Sequence, residues 1–146
     1  MTSLKQFLKE KKYKAFDLQQ IHTNHFKIKL KINGVEGDFI LDTGASNTCI
    51  GIEGIQKFLV DAEISEVKAA GAGATEMETL KAENVLLSIG SLKLKTPIVI
   101  IDLSHVNTAL TNHNTTQIDG ILGADLLKKG KALIDYPKKR LFLKKL

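Results

Sequence analysis

With Cys49 as its one cysteine, the chain can form no internal disulfide, and this scarcity fits a reducing compartment. Only two prolines and no low-complexity tract interrupt its 146 residues, so no linker divides it. Tryptophan is absent and aromatic residues are 5% of the chain, too few for the stacking platforms of nucleic-acid binders. No apolar run approaches the roughly 20 residues that span a bilayer. The opening "MTSLKQFLKEKKYK" lacks the apolar stretch of a signal peptide. We therefore expect a cytoplasmic protein with no nucleic-acid partner and no membrane contact. Asn114-Thr115-Thr116 matches a glycosylation acceptor, but without a secretion signal it reads as a polar loop.

What is present is enough for a core. At 43% hydrophobic and 25% charged, the composition fits one globular domain. The formal charge of +5 comes from lysines spread along the chain, densest at residues 9–14 and 138–145, and reads as a solubilising basic surface.

Periodicity gives the elements. Leu4, Phe7 and Leu8 share one face of a short helix over residues 3–12. In "HFKIKLKI", Phe26, Ile28, Leu30 and Ile32 alternate with lysines, the pattern of a half-buried strand. Asn33-Gly34 tolerates positive φ and predicts a hairpin whose return strand is Val35 to Leu41. A similar block recurs in "NVLLSIGSLKLKTPIVIID": strand, Gly90-Ser91 turn, then an apolar run ending at Asp102. The chain thus looks duplicated in pattern. Short helices are expected at Ile52 to Leu59 and in "ADLLKK", the latter stopped by Gly130. A closing hairpin turns at Pro137. The class is mostly β with two or three short helices, built as a small closed barrel.

The candidate chemistry lies in "FILDTGAS". An apolar strand delivers Asp42 into a loop of small residues, where Gly44 permits a tight turn and Thr43 adds a bracing hydroxyl. Asp42 could be a strand-end turn residue or a rigidly held base. A single carboxylate seldom cleaves an amide; two sharing a proton can, one taking a proton from water while the other donates to the carbonyl.

Together with "IDGILGADLL" further on, this stretch resembles the single-domain retropepsin-like aspartic peptidases, the group of retroviral proteases and bacterial relatives. The resemblance spans residues 26–136. It implies a closed retropepsin-like barrel over residues 21–146, with residues 1–20 as an N-terminal helical extension. It implies Asp42, Thr43 and Gly44 as catalytic residues, Thr43 bracing the loop across a dimer. Ala45 and Ser46 would face substrate with Gly71, Ala72, Gly73 and Ala74, the tip of a flap. Ile121, Leu122 and Gly123 would support the active loop. No second Asp-Thr-Gly or Asp-Ser-Gly exists in the chain, so a two-aspartate site requires a homodimer. The implied function is hydrolysis of peptide bonds in a peptide or protein substrate, without metal or cofactor. The alternative is a catalytically silent module of the same fold that binds peptides or scaffolds.

Other features read blandly. Asp102 and Asp135 follow apolar runs without Thr-Gly and are taken as strand-end polar groups; Asp119 is expected to hydrogen-bond within its own turn. Gly71 and Gly73 lack the third glycine and the βαβ unit of a dinucleotide loop. His22, His25, His105 and His113 lack metal-ligand spacing. Cys49 reads as a small buried hydrophobe.

Overall fold

A computed structural model describes residues 2–64, 69–71, 74–77 and 79–146. The elements run in chain order: α1 (Leu4–Glu10), β1 (Lys14–Asp17), β2 (Gln19–Gln20), β3 (Phe26–Ile32), β4 (Val35–Leu41), β5 (Cys49–Gly51), α2 (Gly54–Lys57) and β6 (Glu63–Ile64). Next come β7 (Ala69–Gly71), β8 (Ala74–Met77), β9 (Leu80–Ile89), β10 (Leu92–Ile101), α3 (Ser104–Asn112), β11 (Gly120–Leu122), α4 (Ala124–Lys129), β12 (Leu133–Asp135) and β13 (Arg140–Leu143).

The β3–β4 hairpin forms as its alternation predicts. Asn33 and Gly34 both take positive φ, 52° and 83°, and the register runs from Ile32↔Val35 to Phe26↔Leu41. Asn33 does more than turn. Its backbone amide and side-chain oxygen bind Leu86 across the gap at 2.7 and 3.0 Å, docking the hairpin tip on β9. There β3 pairs with β9 through Lys31↔Ser88 and Ile32↔Leu87. That pairing closes the sheet β3-β4-β11-β5-β10-β9 into a six-stranded barrel, with β2 and β6 as flanking strands.

The duplicated pattern is matched by the topology. Each half contributes a hairpin, a connection, a three-residue strand and a short helix. The halves are interwoven: β4 pairs in parallel with β11, and β10 pairs in parallel with β5. Between them β11 and β5 run antiparallel, with Ile121 opposite Cys49.

Two apolar clusters result. Inside the barrel, Phe39, Leu41, Ile50, Phe58, Leu87 and Leu122 pack together with the inward residues of β3. Outside it, Ile40, Cys49, Ile101 and Ile121 pack against Leu103, Leu110 and Ile118. Leu110 belongs to α3, a helix not expected from the sequence. Only two of its residues, Val106 and Leu110, pack on this cluster, too sparse a stripe to stand out. Asn107 fixes α3 with two side-chain bonds to the backbone of Ile118, at 2.8 and 3.2 Å.

At the other end, β1, β13 and β12 form a separate three-stranded sheet with β13 in the middle. Part of the N-terminal extension is thereby paired with the chain's last strand. Helix α1 is shorter than expected and buries only Leu8; Leu4 and Phe7 are exposed. Helix α2 also shrinks to four residues, because Leu59 leaves the helical region at φ 55°.

Candidate active site

Strand β4 is buried on both faces where it meets the site, Phe39 and Leu41 in the barrel and Ile40 in the outer cluster. Asp42 is therefore carried by a segment packed from two sides, which leaves its backbone little freedom. Its carboxylate is half-buried, and Oδ1 accepts the Gly44 amide at 2.8 Å. The turn continues with Ala45 N–H donating to the Asp42 carbonyl at 3.2 Å. Thr43, Gly44 and Ser46 are exposed, while Ala45 is half-buried. A Cβ on Gly44 would stand 3.2 Å from that Oδ1, so the glycine permits the close amide approach.

The segment Ile121-Leu122-Gly123 lies beside this loop. The Asp42 amide donates to the Leu122 carbonyl at 3.0 Å, continuing the β4–β11 ladder by one bond. Ala124 N–H reaches the Ala45 carbonyl at 2.7 Å. Gly123 is pressed so closely on the loop that a Cβ would fall 2.8 Å from both the Ala45 oxygen and the Asn47 carbonyl carbon. Gly120 is tighter still: its Cβ would be 2.2 Å from the Cys49 oxygen.

Two residues of this bracket were not expected from the sequence. Thr48 is buried, and its hydroxyl accepts Gly123 N–H at 3.0 Å while donating to Asp125 Oδ1 at 2.7 Å. The same oxygen accepts the amides of Thr48 and Leu126, both at 2.9 Å. A carboxylate in the first turn of α4 thus ties the far end of the Asp42 loop to the Ile121–Gly123 segment. An acidic residue at a helix start is an ordinary capping signal, and nothing in the sequence links it to a threonine 77 positions earlier.

The remaining candidates are dispersed. Gly71 pairs with Ala74 in the antiparallel β7–β8 sheet, and Ala72 and Gly73 lie outside the described residues. Asp119 does not bond within its own turn. Its Oδ2 accepts Asp38 N–H at 2.8 Å and its Oδ1 pairs with Lys57 at 2.9 Å, so it fastens the start of β11 to β4. Asp102 accepts Ser104 N–H at 2.9 Å and opens α3. Cys49 is buried, and desolvation pushes its thiol up to about 12, with an Ile121 amide bond opposing and the charges of Asp125 and Asp42 adding. It is a packing residue and an unreactive thiol. Among the described residues, no three His, Cys, Asp or Glu side chains are grouped to hold a metal.

The sequence profile of a family described as "Aspartyl protease" matches residues 28–126. Among solved structures, the chain resembles a retropepsin-like aspartic protease from Rickettsia conorii, with 21% identity, a TM-score of 0.60 and coverage of 90% of each chain. It also resembles the EIAV protease complexed with the inhibitor HBY-793: 19% identity, TM-score 0.57, covering 75% of this chain and 90% of that one. A third likeness is to the retroviral protease-like domain of Ddi1 from Leishmania major, at 18% identity and TM-score 0.55, covering 82% and 88% of the two chains. At such identities the likeness is one of fold, and the fold is the retropepsin-like barrel. No curated protein sequence matches the chain.

Proposed function

Because this chain belongs to the aspartyl protease family, we propose that it is an aspartic endopeptidase, active as a homodimer that brings two Asp42 carboxylates together. The observation that carries this reading is the setting of Asp42: a half-buried carboxylate on a two-sided buried strand, with one oxygen fixed by the Gly44 amide.

Two carboxylates within hydrogen-bonding reach cannot both keep their charge, so they hold one proton between them, the general scheme for aspartic proteases. The charged oxygen takes a proton from a water lodged between the pair. That water attacks the scissile carbonyl while the protonated partner donates to the carbonyl oxygen. Rigidity matters because misplacement of a reacting group by about 1 Å costs roughly a hundredfold in rate. The bonds that Asp42, Ala45 and Thr48 make to Leu122, Ala124 and Gly123 supply that rigidity.

Thr43 braces the two loops against each other in this reading, and Gly44, Ala45 and Ser46 border the peptide. Gly71, Ala72, Gly73 and Ala74 form the tip of a closing hairpin. The second carboxylate comes from another copy, since the matching position of the other half, Asp102, leads into a helix without Thr-Gly. The copies do not join by inserting a strand beside β13, both of whose edges are taken by β1 and β12. The proposed substrate is a peptide or protein, and the proposed site of action is the cytoplasm.

Sedimentation of the purified chain, alone and with a statine-type transition-state mimic, tests the dimer on which the mechanism depends. A dimer in the presence of the mimic is expected. A chain that stays monomeric at micromolar concentration and ignores the mimic is a peptide-binding or scaffolding module instead.

A further inference from the structure

The two lysine-dense stretches, far apart in sequence, meet in the fold. β1 pairs with β13 from Lys14↔Leu143 to Asp17↔Arg140, and the Tyr13 hydroxyl donates to the Lys131 carbonyl at 2.9 Å. The Lys144 amide returns to Gly130 at the end of α4 at 2.8 Å. Residues 2–20 and 124–146 together hold 13 basic and 4 acidic side chains, a net +9, whereas residues 21–123 hold 8 and 12, a net −4. A charge that looks diffuse along the sequence is therefore gathered on the unit built from the two terminal segments.

Three lysines of the barrel region are paired with carboxylates: Lys29 with Glu36 and Asp38, Lys57 with Asp119, Lys81 with Glu63 and Glu83. Those of the terminal unit are not. Among the described residues, Lys5, Lys9, Lys12 and Lys14 have no carboxylate within 4 Å, although Lys14 also donates to the Ser91 hydroxyl. These four rim a cleft of about 510 Å³ that has Ala15 and Tyr13 in its lining. Next to them, Leu4 and Phe7 stand 51% and 49% exposed on one side of α1, with the Lys11 ammonium 5.6 Å from the centre of the Phe7 ring.

We propose that this face docks on an anionic membrane surface, Leu4 and Phe7 entering the headgroup boundary while the lysines lie at the level of the lipid phosphates. The charge selects a negative partner, and the apolar pair selects among negative partners. A nucleic acid would engage the lysines but has nothing to receive an aliphatic side chain, and the face offers no array of rings for bases. An interfacial helix carries lysines on one side and leucine or phenylalanine on the other, as α1 does. Each lysine near such a surface strengthens binding by about fivefold. The helix is too short to span, so docking is peripheral and reversible, and it is independent of the proposed peptidase activity.

Cosedimentation of the full chain with vesicles tests this. Binding is expected to phosphatidylcholine vesicles holding about 30 mol % phosphatidylserine, at least about tenfold weaker to phosphatidylcholine alone, and reversed by about 0.5 M salt. The double variant Leu4→Ser/Phe7→Ser should bind at least about tenfold less while unfolding at the same temperature, since both side chains are exposed. No binding to the anionic vesicles overturns the proposal. So does undiminished binding by the double variant, or tighter binding of the parent to single-stranded RNA or polyglutamate than to the anionic vesicles.

Discussion

Asp42 and Asp102 end corresponding strands in the two interwoven halves, and their local geometry is nearly the same. Each carboxylate accepts the amide of the residue two places on, Gly44 at 2.8 Å and Ser104 at 2.9 Å. The segments beyond them differ. After Asp42 come small residues in an open loop held from below by β11, Thr48 and Asp125; after Asp102 comes a helix that covers the outer apolar cluster. An aspartate turned back on its own loop is thus ordinary turn chemistry. The strand ahead of Asp102 is packed on both faces as well, by Ile100 and Ile101, so half-burial and an exposed loop of small residues distinguish the candidate catalyst from its counterpart.

The sharpest contrast comes from removing one charge in each half. Asp42→Asn should keep the Gly44 bond and the fold yet lose peptide cleavage by at least about a thousandfold, whereas Asp102→Asn should cleave nearly as the parent does. Cleavage of a peptide library by the three proteins decides this, and equal loss in both variants would erase the distinction between the halves.

A second contrast concerns packing. Gly120→Ala forces a methyl group to 2.2 Å from the Cys49 oxygen and 2.5 Å from the Phe39 ring, and should cost about 3 kcal/mol or more in urea unfolding. Gly51→Ala meets nothing nearer than 3.4 Å and should cost under about 1 kcal/mol. Next in size is Asp125→Ala, which strands three donors and should lose about 2–3 kcal/mol, with slower cleavage because the Asp42 loop loosens. Unimpaired cleavage by a folded Asp125→Ala protein would remove this bracket from the account of the site.

The smallest expected effect is on acid stability. The Ser104 amide, with its hydroxyl, holds the exposed Asp102 carboxyl below its ordinary value of 3.8. A lowered folded-state value means the contribution is complete above about 4 and fades as pH falls through the lower value. Between pH 5 and 2 the urea midpoint of the parent should therefore fall slightly more than that of Asp102→Asn.

Much of the fold and the candidate catalyst is legible in the sequence, for local reasons. Alternation plus Asn33-Gly34 specifies the first hairpin, and the apolar run into Asp-Thr-Gly marks Asp42, because strand period and turn chemistry act over a few residues. The hidden part depends on pairs distant in sequence: Thr48 with Asp125, Asp119 with Asp38, and the closure of the barrel at Ile32 and Leu87. Helix α3 escapes a reading of the sequence because tertiary packing of two apolar side chains, with Asn107 as a clamp, overrides weak local propensity. The charge asymmetry escapes it too, since it appears only when the two ends are brought together.

The central place of β13 in its sheet also imposes an order of events. β1 leaves the ribosome about 125 residues ahead of β13, the strand it pairs with. At about 5–20 residues per second, that interval is roughly 6–25 s, during which the first strand has no edge to join. The two β3–β4 and β9–β10 hairpins can pair long before then, from neighbours already present. Synthesis therefore pairs the barrel hairpins before it fastens β1, so that β13 retrieves a strand made well ahead of it.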